Sequence, residues 1–210
     1  MNPGTRVRTL AGVLVVLVLS LSPLTTLAAD EGQKQPPAMS PEEKAMMEKW
    51  NVYMTPGAEH QLLAQRAGSW TMRVTMWTAP GAPPQVSEGT SESRMIMGGR
   101  YLEDVSSSTF NGMPFEGRGF SGYDNFRKTY FFTWIDNMGT GVMVGHGTYD
   151  SKKKAFASVS EAPDMMTGKV KKVRGVDAMI DSDHWKSEMY DKTADGKEFK
   201  MMEIDYKRKK

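Results

Sequence analysis

The side chains able to do chemistry are few, and none falls into a familiar catalytic pattern. The chain has no cysteine and three histidines, His60, His146 and His184. Without a thiol there is no disulfide, no thiolate metal site and no cysteine nucleophile. No two histidines have the i, i+4 spacing that sets a zinc pair on one helix face. They read as structural or surface rings, and no metal or cofactor is implied; haem on one of them is the remaining alternative. Gly117-Arg118-Gly119-Phe120-Ser121-Gly122 has the glycine spacing of a dinucleotide loop. That loop needs a helix after it, whose N-terminus meets the pyrophosphate. Here the string lies within a strand and runs into Tyr123-Asp124-Asn125, so the glycines predict bending or close contact instead. Gly119 to Tyr123 also misses the nucleophile elbow, which requires glycine at its fifth place. Methionine is abundant, at 18 residues, with clusters at Met46-Met47, Met95-Ile96-Met97, Met165-Met166 and Met201-Met202. Thioethers select Cu(I). Neighbouring strand residues point to opposite faces, however, which favours adaptable packing around an apolar interior.

Charges beside aromatic residues carry more promise. Arg94 lies two residues from Ile96 and Asp136 two from Trp134, while Glu92 and Glu103 have apolar neighbours. A charge enclosed by protein persists only when paired. An arginine–carboxylate pair inside a cavity can anchor a ligand's polar head, with aromatic rings around its body. The alternatives are a satisfied internal pair or a solvated outward charge. The expectation is that Arg94, Trp134 and Asp136 lie close together in the fold. With Trp70, Tyr101, His146 and Trp185 they make the candidate ligand-binding set, and no residue is assigned a catalytic role.

The elements that would position these residues are mostly strands. From Gly68 onward, segments rich in aromatic, β-branched and Met residues alternate with turn chemistry such as Pro80-Gly81, Asn111-Gly112, Asp124-Asn125 and Asp195-Gly196. Strands are predicted near 69–78, 86–97, 100–109, 115–123, 128–136, 141–149, 154–160, 169–180, 184–191 and 198–207. Short turns of this kind make hairpins between antiparallel neighbours. Such a series has two unpaired edges unless it closes on itself. The predicted class is therefore all-β: an antiparallel up-and-down barrel of about ten strands, with a two-sheet sandwich as the alternative. Trp70, Met72, Val74 and Met76 share one strand face. Tyr130 to Ile135 is apolar on both faces, which suggests a barrel lining on one side and a covering N-terminal helix on the other. Val170 and Val173 leave the register of 169–174 open.

Two short helices precede the barrel, within residues 40–67. Ser40-Pro41-Glu42-Glu43 is a capping box with proline in the first turn. Met46, Met47, Trp50 and Met54 form an apolar stripe. Gly57 opens a second helix that ends before Gly68. Residues 29–39, with Pro36-Pro37, read as a flexible linker. Residues 1–28 read as an export signal: Arg6 and Arg8, the apolar run Leu10 to Leu19, and cleavage after Ala28. That run is short for a bilayer span, which takes about 20 apolar residues. The expectation is a periplasmic or secreted protein with no integral membrane association after cleavage. The formal net charge of +2 falls to zero when Arg6 and Arg8 leave. That argues against nucleic acid as a partner. Barrel residues 68–207 are followed by a basic tail, 208–210.

Gly68-Ser69-Trp70, opening the first strand after a short helix, resembles the Gly-x-Trp signature of lipocalins, in which the tryptophan plugs the closed end of a barrel. More of the chain, from about Gly57 to Lys207, resembles the bacterial domain of unknown function 1579 family. The carrying stretches are Glu92 to Leu102, Met113 to Gly117, Gly122 to Asn125 and Thr133 to Gly141. The resemblance implies a calycin-like barrel and transfers no activity. The function expected is a binding module for a small, largely apolar molecule. The alternatives are an enzyme of hydrolase or isomerase type using cavity polar groups, and a structural protein with a filled barrel. An open interior with a perturbed carboxylate beside a second polar group would favour the enzyme.

Overall fold

The computed structural model describes residues 39–210. The expected export signal and all but the last residue of the expected linker lie outside the described residues. Chain order is α1 (Pro41–Met54), α2 (Ala58–Ala64), then ten strands: β1 (Gly68–Met76), β2 (Gln85–Ile96), β3 (Tyr101–Phe110), β4 (Met113–Asp124), β5 (Thr129–Asp136), β6 (Met143–Asp150), β7 (Ala155–Asp164), β8 (Lys169–Asp181), β9 (His184–Lys192) and β10 (Glu198–Arg208). Each strand pairs antiparallel with its sequence neighbours, and β1 pairs with β10 to close the ring. Among the described residues no helix is long and apolar enough to cross a membrane.

The turns follow their residue chemistry. Asn111 and Gly112 both have positive φ (50° and 77°), as a two-residue type I′ hairpin requires. Asp124, Asp150 and Asp164 each accept backbone N–H bonds from the residues two and three positions further on. Strand β7 runs four residues past its expected end, through Pro163. Its pairing with β6 stops at Glu161, while Pro163 faces only Val170 of β8. The proline's missing N–H thus has a free side to occupy.

Helix α1 begins with the expected capping box: Glu43 N–H donates to Ser40 Oγ at 3.2 Å and Ser40 N–H to Glu43 Oε2 at 2.7 Å. Its expected apolar stripe does not meet a core, and no residue of α1 is buried. The helix is held by its last carbonyls. Asn125 Nδ2 donates to Val52, Tyr53 and Thr55 oxygens, and Arg100 to Met54 O. The shorter α2 packs on β3 and β4 instead. The expected helical cover reaches the outer face of β5 only near Phe131, which shares a groove with the end of α1, and Ile135 farther along that face is exposed.

Register fixes which residues face inward. Trp70 pairs with Ser91, Ser91 with Ser106, and Ser106 with Gly117. Trp70, Met72 and Val74 point into the barrel as their alternation predicts, and Val173 of β8 is buried while Val170 is exposed. Large and small residues interleave across strands. The Trp134 ring of β5 lies where a Cβ on Gly117 would come within 2.1 Å of it, and Phe132 likewise fills the space beside Gly145. Gly117 and Gly119 of the β4 string seat an indole and Gly122 makes room for Phe131 and Tyr101, which explains the spacing without any phosphate.

Candidate functional site

One end of the barrel is closed. Leu63 of α2 packs with Leu102, Tyr130 and Phe156, and Trp70 packs with Met72, Trp185 and Tyr206. Trp70 is 0% exposed. Its indole N–H donates to Arg66 O at 3.0 Å, and the Arg208 guanidinium lies 4.1 Å from its ring centroid. Arg208 also donates to Ala67 O, Gln65 O and Ser182 O and to the Asp183 carboxylate. Expected as the start of a loose basic tail, it is the last residue of β10 and latches the chain end over the tryptophan plug.

Inside this plug is a cavity of about 180 Å³. Rings and thioethers make one part of its wall: Phe132, Trp134, Phe156, Trp185, Tyr206, Met143, Met189 and Met202. Glycines and hydroxyls make the rest, with Ser91, Ser106, Ser158 and Ser160 among them. Ser106 Oγ donates to Ser91 Oγ at 3.2 Å. Two carboxylates also line it, Asp104 of β3 and Asp177 of β8, and Arg66 enters from the end of α2. Asp104 accepts a hydrogen bond from Ser93 Oγ. Burial pushes the Asp104 carboxyl above the usual range, opposed by the nearby Arg66 charge. Burial, reinforced by Asp104, likewise raises the Tyr206 phenol. Trp185 stacks on Tyr206 at 3.7 Å between centroids and carries the Arg66 guanidinium at 4.1 Å. The buried Arg66 Nε and Trp185 Nε1 have no hydrogen-bond partner.

The seven expected site residues divide between the two faces of the wall. Trp70, Trp134 and Trp185 face inward. Asp136 shares that face and accepts from Trp134 Nε1 at 3.0 Å and from Met138 N at 3.0 Å. Arg94 does not join them. It faces outward, its side chain 75% exposed, and donates to Glu103 Oε2 at 2.7 Å, with Arg118 on the other side of that carboxylate. The expected Arg94–Trp134–Asp136 cluster is thus divided by the barrel wall. The reason is parity: Ser91 and Ser93 occupy the inner positions of β2, leaving Arg94 the outer one. Tyr101 and His146 are also outside, beside Phe131, in a surface groove next to the end of α1. No histidine lines the cavity. His60 is buried in the α2 cap, where Nδ1 accepts from Gly57 N, and His184 bonds Asp205 on the outer wall. Among the described residues no group of three or more metal-ligating side chains is positioned to hold an ion. Arg66, Asp104, Asp177 and Tyr206 were not among the expected site residues. Inward parity with Trp70 marks Tyr206 and Asp104, but nothing in the sequence marks Arg66.

A closed ten-stranded antiparallel barrel, plugged by tryptophan at one end and hollow within, is a calycin-like barrel. The chain belongs to the family described as protein of unknown function (DUF1579), whose model matches residues 55–208. That interval takes in α2 and every strand. The crystal structure of Rv2717c from M. tuberculosis is similar in fold, with a TM-score of 0.54 and 14% identity, covering 74% of this chain and 100% of that one. A de novo designed fluorescence-activating β-barrel matches at TM-score 0.39 and 17% identity, over 70% of this chain and 96% of that one. A redesigned β-barrel, mFAP1, bound to DFHBI, matches at 0.36 and 18%, over 72% of this chain and 100% of that one. No curated protein matches the chain in sequence.

Proposed function

We propose that this is an exported binding module whose barrel interior takes a small, mainly apolar molecule. The observation that carries the reading is the cavity itself: aromatic rings and three methionines against a glycine- and serine-lined wall, in a barrel plugged at one end. Apolar pockets with a few placed polar groups are the usual form of small-molecule sites. Size narrows the occupant. A cavity near 150 Å³ holds benzene, and pockets for drug-sized ligands start at about 300 Å³. An interior of about 180 Å³ suits one ring or a compact pair and is too small for haem. The export reading is supported by Arg6, Arg8 and the apolar run before Ala28. Native mass spectrometry of protein purified from its own host tests both parts. The expected outcome is a chain starting at Ala29 that carries one small adduct. A bare chain that also takes up no one-ring ligand on titration would end the binding reading.

A second reading is favoured by Asp104, a carboxyl held above its usual range beside Arg66 and Asp177. Such a group holds its proton to higher pH than a free carboxyl does, the direction in which general acids are tuned. Chemical change of the recovered molecule on incubation with protein, lost in Asp104→Asn, would select the enzyme.

A further inference from the structure

Two buried donors at the cavity lack acceptors. Trp185 is 3% exposed, lines the interior, and its Nε1 has no partner. Arg66, stacked on the same indole at 4.1 Å, lines the same space, and its Nε is also buried and unpartnered. Buried polar groups in native proteins are almost always paired, because an unmade bond leaves the full cost of desolvation. Two orphan donors on one stack, both on residues that line the cavity, mark a place where an acceptor is missing.

The charges around it define that acceptor. Asp104 and Asp177 border the same space, against a single guanidinium. A carboxylate ligand would bring a further acidic group beside Asp104 and Asp177 in a low-dielectric interior where burial already disfavours the charged form of Asp104. A carbonyl oxygen, with two lone pairs, would satisfy both donors without adding an acidic group. Resting on the binding reading above, we infer that the ligand is a neutral molecule of one or two rings with a hydrogen-bond acceptor, docked on Trp185 Nε1 and Arg66 Nε. The rings of Phe132, Phe156 and Tyr206 enclose its body, and the two donors fix its orientation.

Three one-ring probes of similar size separate the possibilities: acetophenone, α-methylstyrene, which replaces the carbonyl oxygen by a methylene, and benzoate. Each is titrated calorimetrically into the mature protein, the Trp185→Phe variant and the Arg66→Met variant. Acetophenone is expected to bind at least about tenfold more tightly than α-methylstyrene, the scale of an acceptor meeting a buried donor. The ratio should fall toward one in Trp185→Phe, acetophenone losing more affinity than α-methylstyrene. Arg66→Met carries the same comparison should the tryptophan variant not fold. Equal binding of acetophenone and α-methylstyrene would overturn the inference and leave the binding reading intact, because the two donors would then take no part in holding the ligand. Tightest binding by benzoate would overturn the neutral ligand. Binding by none of the three would remove the binding reading and the inference together.

Discussion

Two arginines stack on two tryptophans at the closed end of the barrel, and the two stacks differ in what their donors meet. Arg208 lies over Trp70 and Arg66 over Trp185, each at 4.1 Å, and the two indoles touch edge to face at 6.3 Å. In the first stack every donor has a role. Trp70 N–H reaches Arg66 O, and Arg208 joins α2, the β8–β9 turn and the end of β10. In the second, Arg66 Nε and Trp185 Nε1 meet nothing. The same pair of residue types thus serves as a plug where its hydrogen bonds are made, and is proposed as a receptor where they are left open.

Five substitutions and one titration test that contrast, from the largest effect to the smallest. Trp70→Ala should cost about 3–5 kcal/mol in urea unfolding, the range for a buried aromatic removed from a core. Trp185→Phe should cost well under half as much, since it keeps a ring on Tyr206 and deletes a donor that bonds nothing. Equal losses at the two sites would dissolve the distinction. Arg208→Met is expected to lose about 2–3 kcal/mol through its carbonyl partners, and Arg66→Met less than about 1 kcal/mol; the reverse order would assign the structural role to the wrong stack. On the opposite wall, Gly117→Ala places a methyl against the Trp134 ring and should destabilise by about 1–3 kcal/mol. It should also weaken ligand binding, which a purely structural glycine would leave alone.

The pH dependence supplies the smallest effect. The Asp104 carboxyl is raised in the folded protein, so the native state holds this proton more tightly than the unfolded chain. Its contribution is complete below the ordinary value of 3.8 and is lost as pH rises through the folded value. Wild-type stability should therefore decline relative to Asp104→Asn as pH climbs from about 4, and the variant's profile should be flatter. A decline of equal size in the variant would exclude Asp104 as its source.

The ring of strands was legible because each hairpin announces itself, as Asn111-Gly112 does, and because β1 alternates cleanly from Trp70 to Met76. Site residues were legible only where that alternation has contrast. In β2 the inward residues include Gly89, Ser91, Ser93 and Met95 and the outward ones Glu92, Arg94 and Ile96, so both faces read as mixed. Ile96 then suggested an inner face for Arg94 that the register denies. In β5 the opposite holds: both faces are apolar, and pairing with Gly117 and Gly145 identifies the inner one. Arg66 was invisible because its place depends on how α2 meets the barrel rim, which no strand pattern encodes. The α1 stripe misled for a related reason, since a helix held by its carbonyl end need not bury a face.

The seam between β1 and β10 also imposes an order of events on synthesis. Trp70 pairs in register with Arg208, so the first strand to leave the ribosome waits for the last. Until then hairpins from β2 onward can form locally, while β1 presents an unpaired outer edge, the kind of edge that recruits other chains. Closing the ring is the contact of greatest sequence separation in the barrel, and such contacts slow folding. Arg208 arrives with that final strand, and its hydrogen bonds to Gln65 and Ala67 fasten the finished ring to the segment that was made just before it began.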